Sequence, residues 1–128
     1  MKLLLDTATF LNAVLDPDAL SGRARDMLLD PDNTRYLSSV STWEIAIKHA
    51  AGKIELSDRP DRFVPEHRRH LAAETLPLDE ESTLQVARLP DLHRDPFDRM
   101  LICQAIVHGM VLVTPDRRIA EYPVRTVW

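Results

Sequence analysis

The chain has 128 residues, enough for one domain around one core, and its 45% apolar and 28% charged content is ordinary for a folded protein. A formal net charge of −4 argues against a protein that coats nucleic acid by bulk electrostatics. The apolar runs are too short to span a bilayer, and no basic region followed by an apolar one marks a secretory signal at the start.

The acidic balance leaves a nuclease open, because carboxylates that hold cations count as negative until the cations bind. Arginine (thirteen) far outnumbers lysine (three), which suits phosphate or carboxylate partners as well as a solvated surface. Cys103 is the single cysteine, so no internal disulfide forms. It lies in an apolar helical stretch and reads as a buried, inert thiol, in keeping with a reducing cytoplasm.

Lys2–Leu5 reads as a short strand buried on both faces. A helix follows over Thr9–Leu15 and breaks at Asp16-Pro17-Asp18; Ser21 caps another that runs through Leu29. Arg35–Ser38 is a second strand. Ser41-Thr42-Trp43-Glu44 opens a helix that stops at Gly52. Pro60 and Pro65 confine the next helix to Glu66–Ala73, and Thr75–Leu78 is a short strand. Glu80–Leu89 is helical. Asp95-Pro96 starts a helix that runs to Gly109, with Asp95 as N-cap. Val111–Thr114 is a strand, Asp116–Tyr122 a short helix or turn, and Val124–Val127 a closing strand. Strands alternating with helices predict an α/β fold: one domain, residues 1–128, with a mostly parallel central sheet flanked by helices.

Four acids fall where the chain changes direction: Asp6, Glu44, Asp98 and Asp116. In an open parallel sheet, strand ends and helix starts on one edge converge in a crevice where ligands bind. Carboxylates clustered there must hold a cation or shift their pKa values, because buried anions repel. Each has a structural reading as well. Asp6 can cap the next helix with Thr7. Ser41-x-x-Glu44 has the form of a capping box, Asp95-x-x-Asp98 resembles one, and Asp116 can be an N-cap. Mg²⁺ and Mn²⁺ prefer such hard oxygen ligands, and in phosphodiester hydrolysis one ion can activate water while a second, roughly 3.5–4 Å away, neutralises the leaving oxygen. The five histidines show no paired zinc-type spacing with cysteine, and His67 and His70 read as a solvated helix face.

Four blocks carry a resemblance over nearly the whole chain: Leu4-Leu5-Asp6-Thr7, Ser38 to Lys48, His93 to Ile102, and Leu112-Val113-Thr114-Pro115-Asp116. The ending Pro123 to Trp128 fits too. In these blocks the chain resembles the PIN-domain ribonucleases found as toxins of VapBC-type toxin–antitoxin pairs; the third block is the most specific. The resemblance implies a PIN-like domain with its acidic site at Asp6, Glu44, Asp98 and Asp116. It implies Mg²⁺- or Mn²⁺-dependent endonucleolytic cleavage of RNA, a homodimer, and a cognate VapB-like antitoxin. DNA would be met only indirectly, through the antitoxin. Asp6 and Asp98 would be principal metal ligands, completed by Glu44 and Asp116. Asp95 is read as the cap that supports them, and Thr7 and Thr114 as groups that hold the acids or water. Arg99, Arg117 and Arg118 could meet phosphate or form salt bridges, and Arg68 and Arg69 could form a basic rim or an exposed helix face. The chain departs from close relatives at Ala8 and Asn12, where histidine and tryptophan are common.

Three other functions compete. A haloacid-dehalogenase-type phosphatase needs Asp-x-Asp after the first strand, where this chain has Asp6-Thr7-Ala8. A phospho-receiver needs a late lysine, and none follows Lys53. A PIN-like module that binds without cutting is disfavoured by the presence of all four acids.

Overall fold

The leucine run near the start of the chain forms the middle of the sheet. In the computed structural model, which describes residues 1–128, β1 (Lys2–Leu5) lies between β2 (Thr34–Ser38) and β4 (Val111–Val113). β3 (Ala73–Leu76) extends the sheet beyond β2, and β5 (Thr126–Val127) extends it beyond β4. The order is β3-β2-β1-β4-β5, and every pairing is parallel. Six helices flank it: α1 (Thr7–Leu15), α2 (Gly22–Leu29), α3 (Ser39–Ala50), α4 (Pro60–His70), α5 (Glu80–Gln85) and α6 (Pro96–His108). The α/β class expected from the sequence is the class observed.

A central parallel strand is buried on both faces, which is why β1 shows no apolar–polar alternation. Its side chains still alternate in direction. Leu3 and Leu5 join one core with Phe10, Ala24, Leu28, Ile45 and Phe63; Leu4 joins the other with Leu101, Ile102, Ala105, Leu112 and Ile119. Each fully buried leucine contributes roughly 1.5–3 kcal/mol. Cys103 is buried in the second core, and burial pushes its thiol pKa up, as an inert cysteine requires. No helix is long and apolar enough to cross a membrane.

Several boundaries differ from the sequence reading, each for a local reason. α1 starts at Thr7, not Thr9, because Asp6 caps it: the Thr9 amide donates to Asp6 Oδ1 at 2.7 Å. α3 starts at Ser39, because Ser38 rather than Ser41 is the cap, with its hydroxyl accepting from the Val40 amide. α4 spans Pro60–His70 instead of Glu66–Ala73. Pro60 sits in its first turn, where no amide donor is needed. Pro65 sacrifices a bond to the carbonyl of Asp61, an exposed residue, while Phe63 and Val64 are buried. β3 is Ala73–Leu76, two residues earlier than expected; its register pairs Arg35 with Ala73 and Ser38 with Leu76, and Pro77 has no amide to continue the ladder. The α-helix over Glu80–Gln85 tightens to a 3₁₀ turn at Val86–Arg88. The last strand shortens to Thr126–Val127, and Asp116–Tyr122 is a turn leading to a 3₁₀ helix at Ile119–Glu121.

α6 ends as its sequence predicts, on a left-handed Gly109 (φ 64°, ψ 42°) whose amide bonds to the Ala105 carbonyl. A Cβ there would meet nothing within 4 Å, so alanine would cost only backbone strain. Gly109→Ala is expected to lower stability by about 1 kcal/mol and Tm by about 3–5 °C. Chemical denaturation of the two proteins measures it, and an unchanged midpoint would contradict the cap assignment.

The connectivity positions the site. The chain steps outward from β1 through β2 to β3, then returns to β4 on the other side of β1. Connections therefore diverge between β1 and β4, and a crevice opens at their carboxyl ends.

Candidate active site

That crevice is a cavity of about 390 Å³ whose lining includes Asp6, Glu44, Asp95, Asp98 and Asp116 together with Thr7 and Lys48. All four acids singled out in the sequence meet there, from four separate parts of the chain. Asp6 follows β1 directly and Asp116 follows β4; Glu44 comes from α3, and Asp98 from the first turn of α6.

The capping alternatives resolve one by one. Asp6 does cap α1, and its buried carboxylate lines the cavity as well. Glu44 is not part of a capping box, since α3 starts at Ser39 and Ser41 lies inside it. Its Oε1 accepts from Thr7 Oγ1 at 2.6 Å, and its Oε2 accepts from Lys48 Nζ at 2.5 Å. Asp95 is the N-cap of α6, taking the Phe97 and Asp98 amides at 2.9 and 3.3 Å. Asp98 does not close a box with it; its Oδ2 lies 3.0 Å from His93 Nε2. Asp116 accepts the Arg118 amide in a turn, and its own amide donates to Thr114 Oγ1.

Charge is unevenly compensated. Glu44 pairs with Lys48, and Asp116 pairs with Arg118, whose guanidinium holds the Asp116 carboxyl below its usual range. Asp6 and Asp98 have no lysine or arginine partner. Burial raises the Asp6 pKa, opposed by the hydroxyls of Thr114 and Thr9. Burial also raises Asp98, to about 6, reinforced by the neighbouring charge of Asp95 and opposed by the His93 hydrogen bond. A carboxylate held in this way is short of cation. Hard oxygen donors from separate elements, two of them without a lysine or arginine partner, fit Mg²⁺ or Mn²⁺.

Two contributors were not singled out from the sequence. His93 is buried, 3.0 Å from Asp98 and 3.6 Å from Asp116, and the three offer ligand atoms within 4.8 Å of one another. It lies in a loop, where no periodicity could flag it; its nearness to Asp95 and Asp98 in sequence was the available signal. Lys48 stands four residues after Glu44, a spacing common to solvated helix pairs. Of the arginines weighed as phosphate ligands, Arg118 binds Asp116, and Arg99 donates to the Pro90 carbonyl and the Tyr122 hydroxyl. Arg68 donates to the Ala73 carbonyl.

Residues 3–124 match the family model of the PIN domain. The chain belongs to the PIN domain family. Solved structures agree with this fold. VapBC2 from Rickettsia felis, bound to a DNA fragment from its promoter, matches with a TM-score of 0.76 at 18% identity, over 100% of this chain and 99% of that one. DNA-bound VapBC from Salmonella typhimurium matches at 0.70 and 21% identity, over 99% and 97%. VapBC-5 from Mycobacterium tuberculosis, a member of the VapBC family of toxin–antitoxin systems, matches at 0.57 and 19% identity, over 94% and 89%. No curated protein matches the sequence. Ala8, the residue two positions after Asp6, lines the cavity as well.

Proposed function

We propose that this PIN domain is a Mg²⁺- or Mn²⁺-dependent endoribonuclease, the VapC-type toxin of a VapBC-type pair, acting in the cytoplasm as a homodimer. The observation that carries the reading is the crevice itself: five carboxylates line one cavity, and Asp98, with no lysine or arginine to pair with, is raised to about 6. Asp6 and Asp98 would be the principal ligands of the cation, with Glu44 and Asp116 completing the site. When bound, such a cation supplies Lewis acidity, making water a better nucleophile and offsetting charge on the phosphodiester.

The chain's own groups prepare the site. Thr7 Oγ1 fixes one oxygen of Glu44, and the Thr9 amide fixes one of Asp6. His93 bonds Asp98 at 3.0 Å and lies 3.6 Å from Asp116, between the two acids. Preorganised ligands lose little entropy when charge develops on the substrate. The likeness to VapBC assemblies supports a VapB-like antitoxin as partner, with DNA reached only through it.

Cleavage of total cellular RNA by purified, antitoxin-free protein tests the reading. Fragments formed with Mg²⁺ or Mn²⁺ and abolished by chelator are expected. Persistent cutting in chelator, or intact RNA with bound metal across a broad RNA pool, would overturn it.

A further inference from the structure

We propose that Lys48 is a displaceable cation of this centre, held on Glu44 while no divalent ion is bound and handed to the substrate phosphate once one is. The first half of the inference rests on the cation site proposed above, and the second half on the nuclease reading as well.

The two oxygens of Glu44 are treated differently. Oε1 is fixed by Thr7 Oγ1 from α1, and Oε2 is covered by Lys48 Nζ at 2.5 Å. The carboxylate is buried, with 5% of its side chain exposed, whereas the Lys48 side chain is 39% exposed. An ordinary helix pair of this spacing lies in solvent on both sides and contributes little. Here one partner is sunk among carboxylates and already anchored, so the lysine covers the oxygen that a metal ion would use. A divalent ion at Glu44 Oε2 and the Lys48 ammonium therefore compete for one position.

Displacement does not remove the lysine from the site. Lys48 is the one cationic side chain lining the cavity, and its Cα stays one helical turn from Glu44. A flexible four-carbon stem with a compact charge can change partner within such a space, where the planar fork of arginine would be less free. Arg118, by contrast, is committed to Asp116 through two contacts of 3.2 and 2.9 Å. An anionic substrate entering a cavity lined by acids needs a cation besides the metal, and Lys48 is placed to meet it.

Lys48→Met and Lys48→Arg, made in the full chain and checked by circular dichroism, test this with two readouts. Mn²⁺ affinity is measured by calorimetry without RNA, and cleavage of total cellular RNA is measured at saturating Mn²⁺. Lys48→Met is expected to bind Mn²⁺ about 5- to 10-fold more tightly, because a competing charge is gone. It is expected to cut RNA about 10- to 100-fold more slowly. Lys48→Arg should hold Mn²⁺ affinity near wild type and recover part of the cleavage. Mn²⁺ binding by Lys48→Met that is unchanged or weaker overturns the competition. Wild-type cleavage by that variant overturns the substrate role. A wild type that cuts no RNA sinks the nuclease reading and the substrate half together, while the Mn²⁺ readout still decides the competition.

Discussion

Replacing Asp98 by asparagine is expected to abolish cleavage and to stabilise the metal-free protein. Asparagine keeps the shape and an acceptor for His93 but cannot supply a carboxylate to a cation. Loss of one such group should reduce RNA cleavage by about 10³-fold or more. The stability effect has the opposite sign. Asp98 titrates near 6 in the folded chain against 3.8 without its surroundings, chiefly because it is buried among other carboxylates. Between those values the folded state binds more protons than the unfolded state. Stability is therefore full below pH 3.8, declines as pH rises and is lost through pH 6, up to about 3 kcal/mol. The asparagine side chain of the variant cannot ionise and escapes that loss. Melting curves at pH 4 and pH 8 check this: the variant should be several degrees more stable than wild type at pH 8 and should lose that advantage at pH 4. An equal difference at both values would contradict the charge-crowding account.

The second large effect is stabilisation by the ion itself. Mn²⁺ at about 100 times its dissociation constant should add about 2.7 kcal/mol, because it binds the folded chain alone. For a domain of this size that is a rise of about 10 °C in Tm. The rise should be larger at pH 8 than at pH 5, since Asp98 must lose its proton to act as a ligand. Chelator should reverse it, and Asp98→Asn should blunt it. Differential scanning fluorimetry across a Mn²⁺ titration measures all three. A Tm that does not respond to Mn²⁺ at pH 8 would exclude a site of this strength.

Much of the architecture was legible because the sheet is central and parallel. Lys2–Leu5 and Val111–Val113 are apolar runs followed at once or nearly so by an acid, and that pairing marks strand ends at a crevice. Asp6 and Asp116 could be read in this way. Glu44 and Asp98 were ambiguous, because an acid three residues after Ser41 or Asp95 is also a capping pattern. For Glu44 the ambiguity came from reading Ser41 as the start of the helix, three residues before the acid. The structure selects Ser38, which bonds Gln104 as well as the Val40 amide, and leaves the buried Ser41 hydroxyl inside the helix without a partner. That choice depends on α6, far away in sequence, so no local pattern could contain it. α4 was misjudged because the cost of Pro65 depends on whether the freed carbonyl faces water. His93 was invisible for a related reason: its role comes from where the loop before α6 packs, beside both Asp98 and Asp116.

The central claim is that the acidic crevice between β1 and β4 is a divalent-cation site. Anomalous scattering from crystals soaked in Mn²⁺ tests it most directly. The account predicts a peak within about 2–2.5 Å of carboxylate oxygens of Asp6 and Asp98, with Lys48 moved off Glu44. No peak in the crevice at saturating Mn²⁺, or a peak only elsewhere on the protein, would contradict it.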